Sequence, residues 1–324
     1  MKAFLFASLI VLAGCSKKTP PPESPASPAP EAAGATVPAG APEPANPAAS
    51  TGVATAGPAT AAPAPAPKPA EPAIPAYTPS GDVSEPVRAA IAAEDRDAKD
   101  RALDAGRKPG EVLTFFRIEP GQKVGELFAA GGYTTELVAR VVGDTGKVYG
   151  QNTKELLDKF GRGPIMDRFA KPVMKNAVMV EQPLEAPFPP DAKNLDAVIC
   201  ILNYHDFVWL KADRAKLNKA VFAALKPGGV YGIVDHSAAK GSGVRDVESL
   251  HRIDIDTVKQ EITKAGFKLD GESDVLANPE DPRDWSASPR AAGEKRGTSD
   301  RFTLRFVKPG KLAKPGKPAK PGKQ

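Results

Sequence analysis

At 324 residues the chain has room for one large domain or two small ones. Its 35 prolines are too many for an ordinary α/β domain, and about half lie between Pro20 and Pro79, so the globular part spans about 82–308. The net charge of +5 misleads, because six lysines fall between Lys308 and Lys323; without them the remainder stands at −1, which excludes a broadly nucleic-acid-binding surface.

Residues 1–14 read as an export leader. Lys2 gives a positive start, and Ala3 to Leu12 form an apolar run too short to span a bilayer. Residues 15–81 begin with Cys15 and continue as a Pro/Ala-rich tether with almost no large apolar side chains. Such a segment cannot bury enough surface to offset the entropy of ordering. About 60 residues of it would have a coil dimension of roughly 45 Å. Cys200 sits in the apolar run AVICIL and is expected in the core. Its context differs too much from that of Cys15 for the two to form a structural disulfide.

Order is expected from Ser84-Glu85-Pro86, a capping serine with proline in the first turn. One charged helix should run from there to Gly106, and a second over 111–118. Strands are expected at 123–128, 147–151, 177–181, 195–202 and 229–235, alternating with helices at 133–142, 153–160, 210–225 and 254–265. That alternation predicts a parallel sheet with helices on both faces. A strand near 267–273 and a last one at 301–307, with a polar loop between them, predict an antiparallel C-terminal hairpin. The end, 309–324, repeats KPGK and reads as a basic tail, a handle for anionic envelope polymers or simply a solvated end.

The stretch KVGELFAAGGYTTELVAR, Lys123 to Arg140, reads as the first strand–turn–helix of a nucleotide-binding domain. Small residues at the corner, Ala129 to Gly132, let the backbone approach a ligand. The helix N-terminus behind them offers free N–H groups and a positive dipole end.

With GKVYGQN, LDAVICILNYHD and ALKPGGVYGIVDH, this stretch resembles the class I S-adenosylmethionine-dependent methyltransferases, within a bacterial group of predicted methyltransferases that often carry export signals. The resemblance covers about 95–308 and implies a Rossmann-like doubly wound sheet in a three-layer αβα sandwich. It implies S-adenosylmethionine as cofactor, bound by Glu126, Ala129, Gly131, Gly132 and Tyr133 of the first motif. Asn152 then stands at the ribose position, Glu181 and Gln182 at the adenine, and Asn203 and Tyr204 along the acceptor channel. The chain departs from the family pattern at Phe128 and Ala130, where glycine is usual, and at Asn152, where Asp or Glu is usual. Leu12-Ala13-Gly14-Cys15 resembles the lipobox of bacterial lipoproteins, which implies cleavage before Cys15 and a lipid anchor in the cell envelope.

The chain has only three histidines, His205, His236 and His251, with Asp206, Asp235 and Asp254 as their neighbours. The first two follow the fourth and fifth strands. Either they satisfy loops and caps, or His205 or His236, with Asp206, acts as general base on an acceptor. A further alternative is a divalent cation on Asp206, Asp235 and His236, much as catechol-type methyltransferases place acidic ligands after these strands. Trp285 can cover the channel, and Trp209 is expected to pack in the core. Two functions remain: methyl transfer to a small-molecule or envelope acceptor, or a methyltransferase-like lipoprotein that binds a ligand or partner without catalysis. The cytoplasmic origin of the cofactor, together with Phe128, Ala130 and Asn152, favours the second; the KPGG segment and the polar strand-edge loops favour the first.

Overall fold

A computed structural model of the protein describes residues 77–310. The expected leader, Cys15 with its anchor, nearly all of the tether and the chain after Gly310 lie outside these residues. Among the described residues, no helix is long and apolar enough to cross a membrane.

Seven strands form one sheet: β1 (Lys123–Glu126), β2 (Lys147–Asn152), β3 (Ala177–Glu181), β4 (Leu195–Ile201), β5 (Leu225–His236), β6 (Lys268–Ser273) and β7 (Arg301–Val307). Their order is β3-β2-β1-β4-β5-β7-β6. The first five pair in parallel, and β7 runs antiparallel between β5 and β6. The expected hairpin is therefore present, with its second strand inserted against the parallel sheet.

Strand alternation sends Val198 and Cys200 to one face and Ala197 and Ile199 to the other. On the first face lie α5 (Lys154–Phe160), α7 (Tyr204–Trp209), α8 (Arg214–Ala224) and α10 (Ile255–Lys264), through Leu157, Phe207, Leu217, Val221, Val258 and Ile262. On the second lie α1 (Glu85–Ala92), α3 (Pro109–Phe115) and α4 (Tyr133–Val142), through Val87, Ile91, Leu113, Leu137 and Val138. The result is a three-layer αβα sandwich with a doubly wound, mostly parallel sheet. Its topological switch point falls between β1 and β4, where the strand order reverses.

Several boundaries differ from the sequence reading. The charged segment expected as one helix breaks at Ala93–Asp97, because the Asp97 side chain accepts from Lys99 N and starts a new helix, α2 (Ala98–Arg107). The stretch expected to be helical over 210–225 begins only at Arg214, and a separate short helix, α7, precedes it. Besides α7, two further α-helices were not foreseen: α6 (Arg162–Phe169) and α9 (Val247–Leu250). Trp209 is not a core residue. It is 44% exposed, and Lys159 lies over its ring at 4.9 Å.

The KPGG segment is already part of β5. Gly228 takes φ +79, and a side chain at Gly229 would press on Lys226 O at 2.9 Å and Leu195 O at 3.1 Å. Lys308, the last residue of the expected domain, is bonded into the fold: its backbone exchanges bonds with Gly228 and Gly229.

The long loop between β6 and β7 is tied down by one buried ion pair. Arg252, fully buried, reaches Asp281 at 2.8 Å and also donates to Ser237 O and Trp285 O. Asp281 in turn accepts from the backbone N–H groups of Arg283 and Asp300. Removing one partner of such a pair strands a buried charge. Arg252→Ala should therefore lower unfolding free energy by about 3–5 kcal/mol, read by urea denaturation.

Candidate functional site

The turn after β1 carries the site. Phe128 and Ala130 adopt φ +54 and +48, the left-handed conformation that glycine takes without strain. The turn that the sequence resemblance expects to carry glycine is thus formed with Phe128 and Ala130 in its place. Three carboxamide side chains hold it. Gln151 accepts from Phe128 N at 3.0 Å, Asn203 donates to Phe128 O at 3.1 Å, and Asn152 accepts from Ala130 N at 2.8 Å while donating to Ala130 O at 3.4 Å. The Phe128 ring does not crowd a pocket: it is buried edge-on against Phe207, 5.7 Å between centroids.

These contacts commit one expected ligand residue to the turn. Asn152 is fully buried and committed to the turn, so it does not face a ribose. Asn203, partly exposed, gives its amide N–H groups to Phe128 O and Ile201 O. Glu181, at the tip of β3, is exposed and pairs with Arg162 at 2.6 Å; Gln182 contributes backbone bonds to Asn152 O and from the Gln151 side chain. Ala129 is buried, and its N–H donates to Gln151 O. Tyr204 does not line a channel. It is buried between α8 and α10, its hydroxyl bonded to Glu261 and Asn218.

Glu126 ends β1 inside the protein, accepting from Thr135 Oγ1 at 2.5 Å. Burial pushes its carboxyl up to about 7, against the opposing pull of the Thr135 and Thr134 hydroxyls and the Arg107 guanidinium. Beside it a small pocket opens at the ends of β4 and β5, lined by Arg107, Tyr133, Thr134, Leu202, Leu276 and Arg301 among others. Arg107 stacks on the Tyr133 ring at 4.6 Å, and Arg301 donates to the carbonyls of Ser299, Gly106 and Gly297. Among the described residues no carboxylate forms an ion pair with either guanidinium. Burial holds both below their ordinary range, Arg301 at about 10, with Arg107 depressing it further.

The outer side of the turn is covered. Gly131 is exposed, with open space where a side chain would stand, but Arg168 from α6 lies over Gly132, its Cδ only 2.8 Å from where a Cβ would be. Arg168 bridges Asp100 of α2 at 2.5 Å and Glu136 of α4 at 2.7 Å. Tyr133 is fixed in the same way, its hydroxyl donating to Asp104 at 2.7 Å. The cover was not legible in the sequence, since Arg168 and Asp100 are 68 residues apart.

The histidines do assemble. Asp235, fully buried, accepts from His205 N, from His236 N and, at 2.7 Å, from His205 Nδ1. Burial alone would lower the His205 pKa, but the Asp235 charge outweighs it and raises it to about 9. His236 is driven well below its ordinary value by burial and by the His205 charge, and its Nδ1 meets Ser299 Oγ at 2.7 Å. As a free base at neutral pH, His236 therefore suits better than His205. The expected cation set of Asp206, Asp235 and His236 does not form, because Asp235 is consumed by three N–H donors and His236 turns to Ser299. Instead His251 joins His205 and Asp206, the group whose donor atoms converge. The sequence neighbour of His251, Asp254, is a helix cap that accepts from Asp256 N and Gly241 N. The Trp285 ring lies between Arg252 and Lys295.

No model of a known protein family matches the chain. Among solved structures the chain resembles an S-adenosylmethionine-dependent methyltransferase from Aquifex aeolicus, at 17% identity and a TM-score of 0.46 over 66% of this chain and 100% of the other. It also resembles an S-adenosylmethionine-dependent O-methyltransferase from Thermotoga maritima, at 14% identity and 0.41 over 71% and 74%. A fibrillarin from Aeropyrum pernix, solved with natively bound S-adenosyl-L-methionine, gives 14% and 0.42 over 63% and 76%. Likenesses of this degree concern architecture alone.

Two outcomes test the site. A carboxyl raised to about 7 holds a proton that the unfolded chain releases near 4.5, so Glu126 lowers stability as pH climbs from about 4.5 through 7. The stability difference between wild type and Glu126→Gln should therefore shift by on the order of 3 kcal/mol in favour of the variant between pH 4.5 and 8. Asn152→Asp puts an acid at this position, and it places a buried charge against Ala130 O. Thermal unfolding should show it destabilised by about 2 kcal/mol at pH 8, and by less at pH 5, where the carboxyl takes up a proton.

Proposed function

We propose that the domain binds S-adenosylmethionine at the β1–β4 switch point and transfers its methyl group to an acceptor in the cell envelope, with the chain held there by lipid on Cys15. The reading rests on one observation above others: a buried acid, Glu126, next to Arg107, which with Arg301 lines the pocket at the ends of the central strands and among the described residues has no carboxylate partner. An α-amino acid moiety carries one ammonium and one carboxylate, and this arrangement matches both charges. Gly131 leaves open space beside the free N–H groups at the start of α4. The residues thus fit the methionine end of the cofactor.

When bound, the cofactor supplies a methyl already activated on a sulfonium. Little covalent chemistry then falls to the protein, whose task is to position the acceptor and exclude water. His236, neutral and half-buried at the end of β5, is the residue suited to take the acceptor's proton. Arg107 holds the ligand's carboxylate.

A second reading, ligand binding without catalysis, is favoured by two particulars: Asn152 is spent on the turn, and Arg168 covers Gly132. Calorimetry of the unlipidated protein with S-adenosylmethionine and S-adenosylhomocysteine separates the two. Methyl transfer calls for a Kd in the micromolar range, weakened by about tenfold or more in Arg107→Leu. No heat at millimolar ligand overturns methyl transfer in favour of the second reading.

A further inference from the structure

We infer that His205, Asp206 and His251 form a binding site for a first-row divalent cation at the sheet edge. The inference stands whether or not the domain transfers methyl groups. Its basis is the spacing of three donor atoms. His205 Nε2 lies 3.3 Å from His251 Nδ1 and 3.4 Å from Asp206 Oδ1, and His251 Nδ1 lies 3.8 Å from Asp206 Oδ1. Three ligands bound at about 2.1 Å to one ion stand about 3.0 Å apart at neighbouring octahedral positions and about 3.4 Å apart in a tetrahedron. The triangle already has nearly those dimensions, so an ion enters with only small adjustments of the rings.

The second support is the surrounding scaffold. His205 presents Nε2 because its Nδ1–H is held by the buried Asp235 carboxylate, the orienting partner that metal-bound imidazoles commonly have. Asp235 is itself fixed by two backbone N–H groups, which prevents it from turning away.

The third is the strained placement of His251. It adopts φ +51 and ψ +49, an uncommon conformation for a residue other than glycine. It is held there from both sides: Leu250 O accepts from Ala287 N, Ile253 N donates to His236 O, and Arg252 is locked to Asp281. Strain of this kind persists where the surroundings over-determine it, and it gathers at functional sites. In this conformation Nδ1 of His251 lies 3.3 Å from Nε2 of His205.

Two imidazoles and one carboxylate suit Zn2+, Fe2+ or Mn2+ rather than Ca2+. Three protein ligands leave positions open for water or a small oxygen donor, so the site is of the catalytic or substrate-orienting type rather than a closed structural one. His251 and Asp206 are partly exposed, which leaves an entry path.

The test uses the whole unlipidated protein, expressed without a histidine tag and stripped with chelator. Titration with Zn2+ against a competing chromophoric chelator should give one site per chain with a Kd of micromolar or tighter. His251→Ala, a partly exposed position whose loss spares the core, should weaken it by about a hundredfold with the circular dichroism unchanged. Asp235→Asn, a positioning change, should weaken it about 10–100-fold. Co2+ in place of Zn2+ should produce visible d–d bands that vanish in His251→Ala. Binding of Zn2+ weaker than millimolar in the wild type, or equal affinity in wild type and His251→Ala, overturns the inference.

Discussion

The architecture of the site depends on how a turn shaped for glycine is held without it. Phe128 and Ala130 in the left-handed region cost about 1–2 kcal/mol each. The Gln151, Asn152 and Asn203 side chains make four bonds to the backbone of these two residues, each contributing about 1 kcal/mol. The two sums are of the same size, so the turn keeps its shape and the bulky Phe128 ring joins the core. A charged acid at position 152 accepts hydrogen bonds but donates none, and could not hold both ends of Ala130. The carboxamide at 152 thus goes with a side chain, rather than glycine, at 130: each holds the other's place in the turn.

The fold was largely legible because its signals are local. The apolar runs of β3 and β7 and the periodic stretch of α4 set their own limits, and the LKPGG segment is confined by close backbone contacts. Missed elements had no such signal. The helix α6 carries a single buried apolar residue, Ile165, and is held by Arg168 and the packing of Phe169, whose partners lie far away in sequence. The site was legible only in part. Sequence spacing placed His205, His236 and Asp235 at one edge, but not their direction. Asp235 faces inward as an acceptor of three N–H groups, which removes it as a free ligand. Arg107 and Arg301 gave no sequence signal, since each is an ordinary arginine until burial and the lack of a carboxylate partner set it apart.

Backbone strain marks the same edge independently of chemistry. Of nine described residues other than glycine with positive φ, four are Phe128, Ala130, Leu202 and His251. All four lie where the parallel strands end or in the loop that packs on them. Two shape the turn after β1, one redirects the chain after β4, and one aims an imidazole at the cluster. The other five, such as Lys108 between α2 and α3, are dispersed. Strain concentrated at one rim of the sheet is costly unless neighbouring contacts impose it, and here carboxamides, a buried ion pair and a fully bonded aspartate do so.

The same contacts explain why the cover and the pocket belong to one system. The helix α2 touches the start of α4 through Asp104 and Tyr133, and it reaches α6 through Asp100 and Arg168. Its last residue, Arg107, lines the pocket beside Glu126. Displacing α2 would therefore free Gly132 and withdraw a guanidinium in one movement. Under the proposed reading, a ligand carrying both an ammonium and a carboxylate would engage both halves at once, its ammonium favouring ionised Glu126 and its carboxylate favouring Arg107.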